Sequence, residues 1–372
     1  MGPIRDKKLA EYDLAVIGAG PAGSAAAITA ARLGAKVALI ERGTFPRQKV
    51  CGEFVSAESL DLLSELLSES KQHLLHDAIR ISRARIHLDG QDIRTEITPP
   101  AASIARLDLD AALWQSAQEA GVRVYSKCTV QSISGDGPFK VSGAAETFHA
   151  SSVINATGRW SNLNSGDAEY SGDKWIGLKA HYEEPQAEPV VALYFFNGGY
   201  CGVQPVDLLG TPQSRRVNVA AMVNSNVATT LPKIFTLHPA LLKRSSAWRE
   251  LGKAVATSPL VFRQPECVSG NILRVGDAAG FVDPFVGDGI SLALRSGSLA
   301  ARSLNLFFNR RATLSDVIAR YRHEYNLTLA PVFANSSQLR RLLNIPRSLR
   351  APLLFVVNRT PRIARWVVRK TR

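Results

Sequence analysis

One stretch, Asp13–Glu41 (DLAVIGAGPAGSAAAITAARLGAKVALIE), constrains the fold more than any other. Asp13–Ile17 is a short apolar run that suits a buried parallel strand. Gly18, Gly20 and Gly23 follow as G-x-G-x-x-G, where strand should become helix. Gly18 permits the tight turn, Gly20 lets the backbone approach a pyrophosphate, and Gly23 lets the helix lie close to the strand. Pro21 and Ala22 open the helix, and the small residues of Ser24–Ala31 continue it. Lys36–Ile40 forms the second strand. Glu41 ends it, 23 residues after Gly18, where an acid accepts a hydrogen bond from a ribose 2′-OH. Strand, turn, helix, strand and terminal acid agree on a dinucleotide-binding β-α-β unit.

A chain of 372 residues is long for one domain. No run reaches roughly 18 consecutive apolar residues, so no transmembrane helix is expected. The N-terminus lacks the apolar core of a secretory signal. Met1-Gly2 suggests myristoylation, but Asp6 stands where Ser or Thr is needed. Cys51, Cys128, Cys201 and Cys267 are far apart, which argues against a metal cluster or disulfide framework and for the cytoplasm. The net charge is +13. Ten basic residues and no acid follow Glu324, so the excess belongs to the tail, not to a global nucleic-acid-binding surface.

After Glu41 comes a loop, Arg42–Phe54, in which Arg47 and Lys49 set two cations either beside a diphosphate or in solvent. Cys51-Gly52 ends it. Cys51 reads as a plain buried thiol or as part of a reactive site. Ser56–His76 has helical spacing of leucines, and Ile79–Ile97 reads as a hairpin turning at Asp89-Gly90 and broken by Pro99-Pro100. Ala105–Asp110 caps a helix expected over Ala111–Ala120. Three short strands follow, then Ser152–Ala156, ending in the small turn Ala156-Thr157-Gly158-Arg159. Trp175–Val268 is rich in alternating runs and predicts an antiparallel sheet, with Tyr194, Phe196 and Tyr200 offered to a substrate cavity or to strand core. Leu237–Ala254 is expected to be helical. Asn271–Val275 is a strand leading to Gly276-Asp277, then Pro284 and a helix over Gly289–Phe308 whose N-terminus favours negative charge. The tail alternates apolar clusters with arginines and suits either an anionic membrane surface or a helix packed on the protein.

Taken together, Gly18-x-Gly20-x-x-Gly23 with Glu41, Arg106-x-x-Leu109-Asp110, Ala156-Thr157-Gly158 and Gly276-Asp277 resemble the FAD-dependent oxidoreductases of the p-hydroxybenzoate hydroxylase and geranylgeranyl reductase group. The resemblance spans roughly residues 10–330. It implies an α/β (α+β) protein: a Rossmann-like FAD-binding domain (10–75, 100–165, 268–330) interleaved with an antiparallel substrate domain (76–99, 170–267), then C-terminal helices (331–372). It implies that FAD is held by Gly18, Gly20, Pro21, Ala22 and Gly23 at the pyrophosphate and by Glu41 at the ribose. Arg42, Arg47, Cys51, Gly52, Arg106, Thr157, Gly158 and Gly276 would add contacts. Asp277 would take the ribitol, and Gly287, Asp288, Gly289 and Ile290 would face the isoalloxazine. The basic loop ending in Cys51-Gly52 leans towards the geranylgeranyl reductase branch. Val203-Gln204-Pro205 departs from that branch's aromatic Phe-Pro ending, and the tryptophan motif of flavin halogenases is absent.

The first function implied is a monooxygenase that hydroxylates a hydrophobic aromatic or polyketide-like substrate through a flavin C4a-hydroperoxide. The alternatives are a reductase of prenyl-lipid double bonds and an electron-transfer protein docking at a membrane. No second nucleotide-binding unit is visible, so NAD(P)H is expected to visit as a transient donor, or a separate reductase to supply the electrons. Partners are a small hydrophobic substrate and a membrane surface met by the tail, with no nucleic acid and no metal. The expected location is cytoplasmic, with peripheral membrane contact. Cys51 is the one side chain marked for catalysis, and Tyr194, Phe196, Tyr200 and Pro284 mark the substrate cavity.

Overall fold

The computed structural model describes residues 11–159, 163, 174–185, 187–207, 216–343 and 345. The N-terminal decapeptide and almost all of the basic tail after residue 343 lie outside the described residues.

The chain opens with strand β1 (Tyr12–Ile17), helix α1 (Pro21–Arg32) and strand β2 (Val37–Ile40), parallel to β1 with Leu14 opposite Val37. This is the β-α-β unit its glycines foretold. Ser56–His76 is not one helix. It breaks into short turns of helix because Leu67 is extended, Ser68 bonds locally to Ser70, and Ser68 N–H leaves the helical ladder for Ser116 Oγ. A hairpin follows, strands β3 (Ile79–Leu88) and β4 (Gln91–Ser103), joined through Asp89 at φ 53° and Gly90 at φ 81°. Both φ values are positive, as a two-residue type I′ turn requires. Pro99-Pro100 does not end β4. Pairing jumps from Arg83 opposite Glu96 to Ile81 opposite Ala101, so the prolines, which cannot donate to the ladder, sit in the irregularity between.

Helix α2 spans Arg106–Glu119, five residues earlier than its expected start. Its N-terminal amide is capped from afar, Glu53 Oε1 accepting Arg106 N–H at 2.8 Å. A tertiary cap leaves no local signature. Strands β5 (Arg123–Tyr125), β6 (Val130–Ser134), β7 (Phe139–Gly143) and β8 (Thr147–Asn155) complete this part. Then come β9 (Trp175–Glu183), β10 (Val190–Phe196), β11 (Gly199–Pro205) and β12 (Arg216–Asn224). The segment expected to be helical over Leu237–Ala254 forms a short helix at Pro239–Ser245 and then an edge strand, Arg249–Glu250, paired to β9. Strand β13 (Ile272–Arg274) precedes the helices α3 (Gly289–Phe308), α4 (Leu314–Thr328) and α5 (Ala330–Leu343).

Two sheets result. The first runs β13-β8-β1-β2-β5, all parallel, with a short antiparallel strand beyond β13 and the β6–β7 hairpin against β8. The second runs β9-β12-β11-β10-β3-β4 and is antiparallel except where β10 pairs parallel with β3, Val190 opposite Arg83. The hairpin before α2 and the strands after residue 174 are therefore one sheet.

The main core lies between the first sheet and α1, α3 and α4, and is dense in alanine. Helices α1 and α3 meet without intervening side chains. A Cβ on Gly297 would stand 2.0 Å from the Ala22 carbonyl, and one on Gly23 would stand 1.8 Å from the Gly18 carbonyl. This close approach sets α3, and with it the loop before α3, against the first turn of α1. Thr313 at the N-terminus of α4 makes a reciprocal cap with Asp316.

Candidate functional site

The carboxyl ends of β1 and β8 and the N-termini of α1 and α3 converge on a cavity of about 860 Å³ that continues under the second sheet. Ligands in open parallel sheets bind at such an edge. Gly18, at φ 98°, turns tightly against Ala156, whose carbonyl would meet a Cβ there at 2.4 Å. Ala156 N–H bonds to Ile17, and Asn155 Oδ1 accepts from both Thr157 N–H (3.1 Å) and Thr157 Oγ1 (2.7 Å), which shapes the Thr157-Gly158 turn. Space is open where Gly20 and Gly158 would carry a Cβ. The first-turn amides of α1 have no acceptor within their own helix, so the cradle favours an anion.

The basic loop is more ordered than its composition suggests. Glu41 accepts Ala19 N–H at 2.9 Å and Gly43 N–H at 2.8 Å, and Arg47 grips it with both terminal nitrogens at 2.5 and 3.0 Å. Burial alone would raise its carboxyl, but the hydrogen bonds and charge of Arg47 hold it below the usual range. Arg47 is thus the partner of Glu41 rather than a free cation, although its Nε is buried with no acceptor among the described residues. Lys49 is pushed down by burial and by Arg47, Arg106 and Arg42 around it. These cations give the cavity wall the positive field a diphosphate needs. The open glycines, the orphaned Arg47 Nε and the first-turn amides fit the pyrophosphate of FAD.

Gly18, Gly20, Pro21, Ala22, Glu41, Arg42, Arg47, Cys51, Gly52, Arg106, Thr157, Gly158, Gly276, Asp277, Gly287, Gly289 and Ile290 all line this one cavity, as do Tyr200 and Pro284. Gly23 serves packing instead. Asp288 turns away: Ser56 Oγ donates to its Oδ1 at 2.9 Å, its Oδ2 is buried without a partner, and burial pushes its carboxyl up to about 6. Arg106 is bound to Asp110 through two hydrogen bonds of 2.7 and 2.8 Å and also meets the Cys51 thiol. Asp277 lies 3.5 Å from Arg159, which covers the Phe281 ring.

Tyr194 and Phe196 do not face the cavity. Tyr194 stacks on His87 on the opposite face of the sheet, its hydroxyl near Arg244, and Phe196 packs into the core beneath that face. Strand side chains alternate, so the neighbours Leu193 and Phe195 line the cavity instead. Gly202, also on the lining, marks the same face, and its pairing with Leu193 was the available signal. Leu193, Phe195, Tyr200, Met222, Leu260, Phe281 and Phe285 form one apolar cluster there. Ala84, Ile86, Leu88, Ile93 and Ile97 extend the wall along β3 and β4.

Sequence reasoning also missed Glu53. It is fully buried, with Lys179 and His181 Nε2 on its carboxylate, the latter at 2.8 Å. Burial alone would raise its carboxyl, but His181 and Lys179 hold it below the usual range. Lys179 and His181 are two apart in an apolar strand and therefore share a face, which was the one hint.

A family model described as "FAD dependent oxidoreductase" matches residues 13–244. The menaquinone reductase of Mycobacterium tuberculosis is 27% identical over 373 aligned residues, covering 91% of this chain and 85% of that one. The digeranylgeranylglycerophospholipid reductase of Methanocaldococcus jannaschii is 25% identical, covering 84% and 83%. The flavin-dependent brominase Bmp2 superposes with a TM-score of 0.79 at 19% identity, covering 97% and 93%, a likeness of fold.

Proposed function

Because the chain belongs to the FAD-dependent oxidoreductase family, we propose that it is a reductase of carbon–carbon double bonds in a long prenyl-type chain, carried by a quinone or lipid. The observation behind this is the wall of the cavity beyond the FAD cradle, formed by aliphatic side chains of β3 and β4 and by the cluster around Phe195, Tyr200 and Phe285. Such a surface offers area to an apolar chain and few groups to orient a phenol or acid. The names of the relatives in Mycobacterium and Methanocaldococcus agree with it.

Gly18, Gly20 and the first turn of α1 would hold the pyrophosphate, Glu41 the adenosine ribose, and Asp277 the ribitol. Gly289, at the N-terminus of α3, would face the isoalloxazine, where the helix end favours negative charge. When bound and reduced, FAD supplies a hydride. Cys51 gives the balancing proton to the second carbon. Its thiolate is received by Glu53 N–H, 3.3 Å from Sγ, and by Arg106, and it recovers a proton from solvent. With the hydride that bound, reduced FAD would supply, the proton from Cys51 would give a product that gains two hydrogens. The apolar wall keeps water from the reacting carbons.

The test is mass spectrometry of a polyprenyl quinone incubated with the FAD-loaded protein and dithionite under argon and, separately, with NADPH in air. A gain of two hydrogens under argon is expected. A gain of one oxygen in air with no anaerobic product would establish the monooxygenase alternative and refute the reductase. No product under either condition, with reducible flavin bound, would point to electron transfer.

A further inference from the structure

The tripeptide Cys51-Gly52-Glu53 is held through the thiol and carbonyl of Cys51 and the amide, carbonyl and carboxylate of Glu53. Glu53 lies at φ 61°, a left-handed backbone conformation that side chains other than glycine rarely adopt. Its N–H donates to Cys51 Sγ at 3.3 Å. Its carbonyl accepts from Ile104 N–H and from Gln204 Nε2, both at 3.0 Å. Its carboxylate takes Arg106 N–H, Lys179 Nζ and His181 Nε2. The Cys51 carbonyl accepts from Asn218 Nδ2 at 3.0 Å.

The grip comes from the second sheet. His181 in β9 stands opposite Asn218 in β12, and Asn218 stands opposite Gln204 in β11. They form a polar row across three adjacent strands, and Lys179 shares the face of His181 one pleat away. All four residues are buried. Most neighbouring positions in those strands are Val, Ala or Leu. A buried Lys–Glu pair adds little stability over apolar residues of the same volume, and the left-handed Glu53 adds strain. Stability therefore does not account for four polar side chains aimed at one tripeptide on the cavity wall. What they achieve is geometric: the thiol is fixed against the wall beside Arg106.

We infer that Lys179, His181, Gln204 and Asn218 are positioning residues that act through the Cys51–Glu53 tripeptide to hold the Cys51 thiol in its place on the cavity wall. This rests on the reading that Cys51 delivers the proton. The tripeptide lies on the connection from β2 into the second sheet, and through Arg106 N–H it also reaches the start of α2.

The test uses the FAD-loaded full chain carrying Cys128→Ala, since Cys51 and Cys128 are half-buried while Cys201 and Cys267 are buried. Alkylation of Cys51 by iodoacetamide is followed at fixed pH by mass spectrometry, together with kcat and KM for double-bond reduction. His181→Leu should slow alkylation about tenfold, the worth of one charge-assisted hydrogen bond, and lower kcat by a like factor with KM within about twofold. His181→Gln, which keeps a donor, should restore both. Asn218→Leu carries the same expectation if His181→Leu does not accumulate as folded protein. An unchanged or faster alkylation in flavin-retaining His181→Leu or Asn218→Leu, whatever the loss in Tm, overturns the inference. Slower alkylation in a protein that reduces no double bond would support the positioning and refute the reductase reading instead.

Discussion

At the scale of single residues, the site is a set of charges whose partners decide what each can do. Glu41 and Arg47 looked like separate contacts to a nucleotide and are in fact bound to each other. Arg106 has its ionic partner one helical turn away in Asp110. Among the described residues no cation is in hydrogen-bonding contact with Asp288, and burial pushes its carboxyl from 3.8 to about 6. Between those values the unfolded chain has released this proton while the folded chain keeps it. The unfolded state then binds fewer protons, so stability falls as pH rises from about 4 to 6. Asp288→Asn should remove that slope and raise stability by about 3 kcal/mol at pH 7. Urea unfolding of both proteins at pH 4 and pH 7 checks it, and a slope unchanged by the substitution would contradict the assignment.

Elements add what single residues do not hold: which way a side chain points. In β10, residues of one parity face the cavity and those of the other face the helices behind the sheet. Phe195→Ala should raise KM for a prenyl substrate about tenfold, from loss of most of an aromatic side chain's buried area, with flavin content unchanged. Tyr194→Phe should leave KM unchanged. Steady-state kinetics on the pair would reveal a wrong parity at once. Helix packing gives a second prediction. Gly297 lines no part of the cavity, yet a Cβ there would meet the Ala22 carbonyl at 2.0 Å. Gly297→Ala should cost about 2 kcal/mol by overpacking and should also release flavin, because α1 and the N-terminus of α3 would be forced apart. Thermal unfolding and the flavin absorbance of the purified protein measure both, and full flavin retention would show that the cradle tolerates the shift.

On the scale of the whole molecule, two sheets share one cavity, and charge is spread unevenly along the chain. Among the described residues no helix is long and apolar enough to cross a membrane. After residue 345 the sequence carries eight basic residues and no acid. We propose that this segment meets an anionic membrane, where a prenyl quinone or lipid would reside. Each basic residue near such a surface contributes about 1 kcal/mol at moderate salt. Sedimentation with vesicles containing phosphatidylglycerol should therefore carry down the full chain and not a chain ending at residue 345. Neutral vesicles or high salt should abolish binding. Equal binding of both chains would refute the role of the tail.

Much of the first sheet and its helices was legible because its determinants are local. A glycine must stand where Cβ has no room, an apolar run must be buried, and Asp89-Gly90 must turn a hairpin. The start of α2 was not legible, since its cap comes from Glu53 more than fifty residues upstream. The path of β4 through Pro99-Pro100 depended on a pairing irregularity with β3. The amino-acid sequence by itself determined the β-α-β unit, the glycines of the cradle, the strands of the second sheet and the concentration of charge in the tail. Only the tertiary structure decided which face of β10 lines the cavity, that Arg47 belongs to Glu41, and that Lys179, His181, Gln204 and Asn218 converge on Cys51–Glu53. Contacts of that kind depend on strand register and on two sheets meeting, and neither leaves a mark in the residues nearby.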